Sequence, residues 1–296
     1  MSDKEVGKEV GKEVDKHSGT QTTGHEWDGI KELDTPMPRW WVGIFYATIV
    51  WAVGYWIVMP AWPTLTGYTR GWLDHSQRDA VTAEVAALKS ARAAREKILG
   101  NASLAQIQAD PSLLQFAMAE GKTVFGDNCA GCHGSGGQGF KGYPNLNDDV
   151  WLWGGKLADI QHTVTVGVRS VHPDTRQSQM PAWGKSGILK PEQIDDLADY
   201  VLHLSHRPAN PASVARAMPL FKENCASCHG PSGQGQRKDG APNLTDNEWL
   251  YGGSRDEIRE QIWNAHSGVM PTWGGRLSPA TIKALSVYVH SLGGGE

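Results

Sequence analysis

The longest apolar run is Trp40–Met59, WWVGIFYATIVWAVGYWIVM, which carries no charge over 20 residues. That is about the length a helix needs to cross a bilayer core. Trp40 and Trp41 at one end, with Trp56 and Trp62 at the other, suit an aromatic belt. Pro60 and Pro63 stop the helix. Before the run, KEVGKEVGKEVDK alternates charge with low complexity, which predicts a disordered tail over the first ~20 residues. Residues 22–41 are more apolar, with Trp27, Ile30 and Leu33, and read either as a contact surface for another membrane subunit or as interfacial anchoring. After the run, Val81, Val85, Leu88 and Ala91 recur at helical spacing and predict a helix over 78–98, ended at Gly100 and Asn101. It serves as a packing surface or as a spacer.

From about residue 111 the apolar pattern occurs twice. Phe125, Cys129 and His133 match Phe221, Cys225 and His229 at an offset of 96. Pro144-Asn145-Leu146 matches Pro242-Asn243-Leu244, and the Trp151–Gly155 block matches Trp249–Gly253, both at 98. Met180-Pro181-Ala182-Trp183-Gly184 matches Met270-Pro271-Thr272-Trp273-Gly274 at 90. Ile194, Leu197, Tyr200, Val201 and Leu204 match Ile282, Leu285, Tyr288, Val289 and Leu292 at 88. Five blocks in one order indicate tandem duplication. Each unit reads as a leading helix, a Gly-rich loop, a short helix, a methionine loop and a closing helix with Pro191 or Pro279 in its first turn. The fold is therefore expected to be mainly α. Its segments are a tail over 1–38, a membrane helix over 39–60, a linker with a helix over 61–110, and two repeats over 111–207 and 208–296.

Composition narrows the chemistry. A net charge of −4 gives no case for nucleic acid. All four cysteines lie in two C-x-x-C-H runs, Cys129–His133 and Cys225–His229. This is the attachment pattern of c-type haem, with two thioethers and a proximal histidine. A thioredoxin-like pair or half a zinc site is the competing reading, but neither needs the adjacent histidine. The chain is thus expected to hold two covalently bound haem c groups. No thiol is left over for a disulfide or a copper site, and no CxxxC copper motif occurs.

A sixth iron ligand is expected from Met180 and Met270, 47 and 41 residues after His133 and His229. Thioether is a soft ligand that favours ferrous iron. Met118 and Met218 are read as core, and His162, His172, His203 and His266 recur at no matched place. Which methionine serves which haem is left open. The Pro144 and Pro242 carbonyls are candidate acceptors for the other imidazole N–H. Trp151 and Trp249 wall the haem, donate to a propionate or fill core. Between tryptophan and methionine the first repeat is longer, 29 residues against 21. The surplus near Gly167–Gln179 is expected to form a surface loop, for donor docking or as a solvated insertion.

The FxxxCxxCH runs, the PNL runs and the methionine loops resemble the class I cytochrome c fold, twice. Together with TTGHEWDGI…PMPRWW and DPSLLQFAMAEGKTVFGDNCAGCHG, the chain from about 22 to 292 resembles the dihaem FixP/CcoP subunit of cbb3-type cytochrome c oxidase. Ala217 stands where the first repeat has Gly121, a departure that alters helix packing. The resemblance implies an electron-transfer subunit, not an enzyme by itself, in a proton-pumping oxidase that reduces O2. The cytochrome bc1 complex or a soluble cytochrome c would donate electrons. A monohaem subunit and a catalytic haem–copper subunit would receive them. Haem c is attached outside the bacterial inner membrane, so a single-pass anchor is expected, with a cytoplasmic N-terminus and periplasmic haem domains. Competing readings are an independent tethered dihaem shuttle and, with an open iron, a peroxidase-like enzyme or gas sensor.

Overall fold

A computed structural model of the chain describes residues 8, 9 and 11–296. The chain divides into two compact units, 1–87 and 88–296. In the first, β1 (Lys8–Glu9), β2 (Thr22–Trp27) and β3 (Ile30–Leu33) form an antiparallel sheet in the order β1-β2-β3. Of the first ~20 residues, Lys8–Glu9 form a strand, while 1–7 and 10 lie outside the described residues. Two turns explain the sheet. Asp28 and Gly29 both take positive φ, 52° and 83°, the two-residue hairpin turn that matches strand twist. Upstream, Asp15 accepts from the Ser18 N–H and hydroxyl, each at 2.7 Å, and closes the loop that leads into β2.

Helix α1 (Arg39–Val58) has no buried residue, and a mean hydropathy of 1.7 makes it long and apolar enough to cross a membrane. It ends before Pro60 as expected, and the Trp72 and Leu73 N–H groups cap the Ile57 and Val58 carbonyls at 3.1 Å. Helix α2 (Gln77–Asn101) runs past the predicted end and takes in Gly100 and Asn101. Its predicted apolar stripe, Val81, Val85 and Leu88, is exposed.

In the second unit, α3 (Leu104–Ala109) starts in a Ser103/Gln106 capping box. Asp110 caps α4 (Pro111–Asn128) by accepting from the Ser112 and Leu113 N–H groups. There follow α5 (Ala130–His133), α6 (Leu157–Val166), α7 (Pro191–Leu204), α8 (Pro211–Asn224), α9 (Ala226–His229), α10 (Arg255–Asn264) and α11 (Pro279–His290). Pro191 and Pro279 open α7 and α11, as their spacing predicted. The Lys283 ammonium donates to the Gly100 and Ala102 carbonyls at 2.7 and 2.6 Å, and so closes the end of α2 onto α11.

The packing units are not the sequence repeats. One core joins Phe125, Ile160 and Val164 of the first repeat to Ile282, Leu285 and Val289 of the second. The other joins Ile194, Leu197 and Val201 of the first repeat to Ala217, Phe221, Ile258 and Ile262 of the second. Equivalent contacts repeat the exchange. Phe125 packs on Tyr288 at 5.5 Å and Phe221 on Tyr200 at 5.0 Å. Thus α11 closes over α4 and α6, and α7 closes over α8 and α10. The boundary at 207/208 divides the sequence repeats, but each folded core takes its closing helix from across it. Only residues 205–210 join α7 to α8, and a connection this short leaves consecutive helices as neighbours.

Gly121 sets the distance between α4 and α11. A Cβ there would stand against the Ala284 carbonyl oxygen and 2.6 Å from the Tyr288 Cβ. The second repeat has Ala217, fully buried, at the equivalent place. Gly121→Ala would gain up to ~1 kcal/mol of helix propensity. The backbone must part to admit the methyl, and such overpacking costs about 1–3 kcal/mol. A net loss is expected, read as a lower denaturation midpoint of the haem-loaded chain. An unchanged or raised midpoint would show that α4 and α11 separate freely.

Candidate functional site

Each C-x-x-C-H run is a single tight turn at the end of a long helix. The helices α4 and α8 stop at Cys129 and Cys225, whose N–H groups still donate to the Phe125 and Phe221 carbonyls at 2.8 Å. Both phenylalanines are buried, so they fix the turn against the core. All four thiols are free, with Cys132 and Cys228 exposed and Cys129 and Cys225 half-buried. Burial pushes the Cys129 and Cys225 thiols up to about 11, with a smaller push from the neighbouring cysteine of each run. Neither is a poised thiolate, which disfavours a redox-active dithiol.

The histidines are held as the sequence predicted. His133 Nδ1 lies 3.0 Å from the Pro144 carbonyl oxygen and His229 Nδ1 lies 3.0 Å from that of Pro242. A carbonyl can only accept, so Nδ1 carries the proton and Nε2 presents a lone pair. Burial lowers both imidazole pKa values and so favours the neutral ring, partly offset by the carbonyl bond. A neutral imidazole with its second nitrogen so occupied is the arrangement of a metal ligand.

The methionine loops follow the exchanged packing. Met270 packs with the core that holds Cys129 and Ala130, while Met180 packs with the core that holds Cys225 and Ala226. Backbone bonds to equivalent carbonyls at the ends of α6 and α10 hold each loop there. The Trp273 and Gly274 N–H groups donate to Val164 and Thr165 at the end of α6, at 3.1 and 2.9 Å. The Trp183 and Lys185 N–H groups donate to Ile262 and Trp263 at the end of α10, at 3.1 and 3.0 Å.

The remaining candidates separate clearly. Met118 packs beside the cluster of Leu99, Ile107 and Leu113. Met218 does not pack as core, being 57% exposed. Ala217 and Phe221 occupy the buried face of α8 and leave its neighbour outside. Trp151 gives its indole N–H to the Gly294 carbonyl, and Trp249 packs beside the second core beneath the Arg207 guanidinium. The His172 Nδ1 accepts from the Asp174 N–H, and His266 Nδ1 faces Gln261. The 167–179 segment is bonded between elements of both repeats, through two of the charged residues that this longer stretch carries. Arg169 donates to Gly268 and Ser178, and Arg176 lies over Trp153 and donates to Thr163.

These residues fit covalent haem c. Two unpaired thiols flank a turn that ends in a neutral, oriented imidazole, and a thioether loop closes over the same core. The structure and its site therefore define a c-type cytochrome behind one helix long and apolar enough to span a membrane. Family models support each part. The N-terminal domain of cytochrome oxidase-cbb3, FixP, matches residues 19–66. Cytochrome c matches 118–205, and cytochrome C oxidase, cbb3-type, subunit III matches 212–289. The chain is 57% identical over 283 residues to the cbb3-type cytochrome c oxidase subunit FixP of Bradyrhizobium sp. (strain ORS 278), covering 95% of this chain and 98% of the relative. It is 48% identical over 290 residues to the CcoP subunit of Azospirillum sp. (strain B510), covering 95% and 98%. It is 50% identical over 276 residues to that of Cereibacter sphaeroides (strain ATCC 17023), covering 93% and 95%. The chain belongs to the FixP/CcoP family of cbb3-type cytochrome c oxidase subunits.

Proposed function

We infer that this chain is the dihaem electron relay of a cbb3-type oxidase. It takes electrons from the bc1 complex or a soluble cytochrome c and delivers them, through a monohaem subunit, to a catalytic haem–copper subunit. That complex reduces O2 to water and pumps protons. The observation that carries the reading is the pair of equivalent sites, each with thiols, a carbonyl-oriented histidine and a methionine loop.

Bound haem c supplies a one-electron ferric/ferrous couple. The residues of the chain do the rest. Cys129 and Cys132, and Cys225 and Cys228, anchor the two macrocycles. His133 and Met270 would hold the first haem iron, and His229 and Met180 the second, as the shared cores of each thiol turn and methionine loop suggest. The Pro144 and Pro242 carbonyls fix the imidazole tautomer, which keeps each ring from rotating as charge changes. With a thioether at each sixth position, neither haem would offer an open site to a small gas, and the work would be transfer rather than catalysis. The anchor helix α1 holds the domains at the membrane, with the N-terminus cytoplasmic and the haem domains periplasmic, where haem c is attached.

The tagged chain should be purified from its native membranes in mild detergent and a reduced-minus-oxidised spectrum taken. A b-type band beside the c-type band, with cyanide-sensitive oxygen consumption, is the expected result. A c-type band alone, with no partner, would instead mark an independent tethered shuttle.

A further inference from the structure

The two methionine loops are reached by two crossover segments, and both segments hold a non-glycine residue in the left-handed region. Arg169 lies at φ 53° after α6, and Ala265 at φ 25° after α10. Such backbone is costly and persists where the surroundings impose it. At Arg169 the surroundings are visible. Its N–H donates to the Arg176 carbonyl at 2.9 Å, and the Arg176 N–H donates back to Gly167 at 3.1 Å. Beside it, Val168 and Met270 exchange reciprocal backbone bonds at 3.0 Å. The first crossover is therefore laced to the methionine loop of the other repeat.

The side chain of Arg169 does more. Its Nε donates to the Gly268 carbonyl at 2.6 Å and its Nη1 to the Ser178 carbonyl at 2.8 Å. Gly268 stands two residues before Met270, and Ser178 two residues before Met180. One guanidinium thus grips the same position of both methionine loops. No carboxylate lies within ion-pair distance of it among the described residues. Its rigid fork suits two fixed acceptors, which a single ammonium would hold less well.

We propose that Arg169 is a positioning residue that clamps both methionine loops together, so that thioether ligation at both haems depends on one side chain. The inference rests on Met180 and Met270 being the axial ligands. An iron–thioether bond is weak, and groups that orient such a ligand commonly govern its hold on the metal. The clamp lies in the segment that makes the first repeat longer, and the second repeat has no counterpart. It gives that insertion a role other than docking.

Arg169→Gly isolates the side chain, because glycine adopts φ near +53° without strain and leaves the loop backbone in place. The full-length, haem-loaded chain is titrated with imidazole in the ferric state, following loss of the methionine charge-transfer band. M180L and M270L chains tell the two haems apart. The expected result is displacement at about tenfold lower imidazole at both haems, with both reduction potentials lowered. R169K should fall between. Wild-type sensitivity at either haem in R169G overturns the clamp. Should R169G not accumulate, the same reading is taken on R169K, and wild-type sensitivity at either haem overturns it there. If M180L and M270L leave the band of the parent chain unchanged, the ligand assignment itself has failed, an outcome distinct from loss of the clamp alone.

Discussion

Met270→Leu opens the haem attached at Cys129 and Cys132, in the other sequence repeat, and leaves the haem at Cys225 and Cys228 six-coordinate. This is the expected result of the exchanged packing, in which Met270 lies with Cys129 and Met180 with Cys225. Single-haem chains make it readable. In C225A/C228A only the first haem remains. There M270L should create carbon monoxide binding in the reduced protein and abolish the methionine band, while M180L should do neither. The loss of thioether removes a ligand that favours ferrous iron, so the potential should fall on the order of 0.1–0.2 V. C129A/C132A gives the reverse assignment. If M180L, rather than M270L, opened the first haem, each methionine would serve its own repeat and the exchange would not extend to the irons.

Local sequence carried much of this structure. The anchor helix, both leading helices, both attachment turns, both closing helices with their prolines, and both histidine acceptors stand where spacing put them. Each rests on a short-range signal, such as a run of apolar residues, a proline, or a thiol pair next to a histidine. The Asp28-Gly29 turn carried an equally local signal, and its strands were obscured by the charged repeat beside them. The exposure of Met218 follows from phase. Ala217 and Phe221, four apart, define the buried face of α8, and the residue after Ala217 points away from it.

The exchange was a different kind of problem. Met180 and Met270 share a motif, and α7 and α11 share their apolar positions, so either could close either core on pattern alone. What decides between them is non-local. The choice lies in the six residues between α7 and α8, the two crossover segments, and the fit of Gly121 against Ala284. Equivalent glycines register the outcome. A Cβ on Gly137 would meet Leu292, and one on Gly233 would meet Leu204. Each site thus takes its lid from the other repeat. Arg169 likewise looks like an ordinary solvated cation until both crossovers are placed side by side.

If the cores are exchanged, the folding unit of the second haem is 177–266 rather than 208–296. The former holds Met180, α7, α8, the Cys225 turn and α10. The latter lacks α7 and carries α11, whose partners are elsewhere. The size of the loss decides the outcome. Ile194, Leu197, Val201 and Leu202 of α7 are all buried, and at about 1.5–3 kcal/mol each they contribute roughly 6–12 kcal/mol. A small domain has about 5–15 kcal/mol in all. A chain of 208–296, matured with haem, should therefore show an attached but high-spin haem that binds carbon monoxide and melts without cooperativity. The Asp196 and Asp199 carboxylates are also lost to it, which strands Arg216 and Arg255, their partners at 2.6–3.2 Å. A chain of 177–266 should give a low-spin, methionine-ligated haem with a cooperative melt. The comparison is made by visible spectra and thermal unfolding of the two fragments side by side. Equal ligation and equal stability in both would mean that α11 can replace α7, and that the two closing helices are interchangeable in energy as well as in sequence pattern.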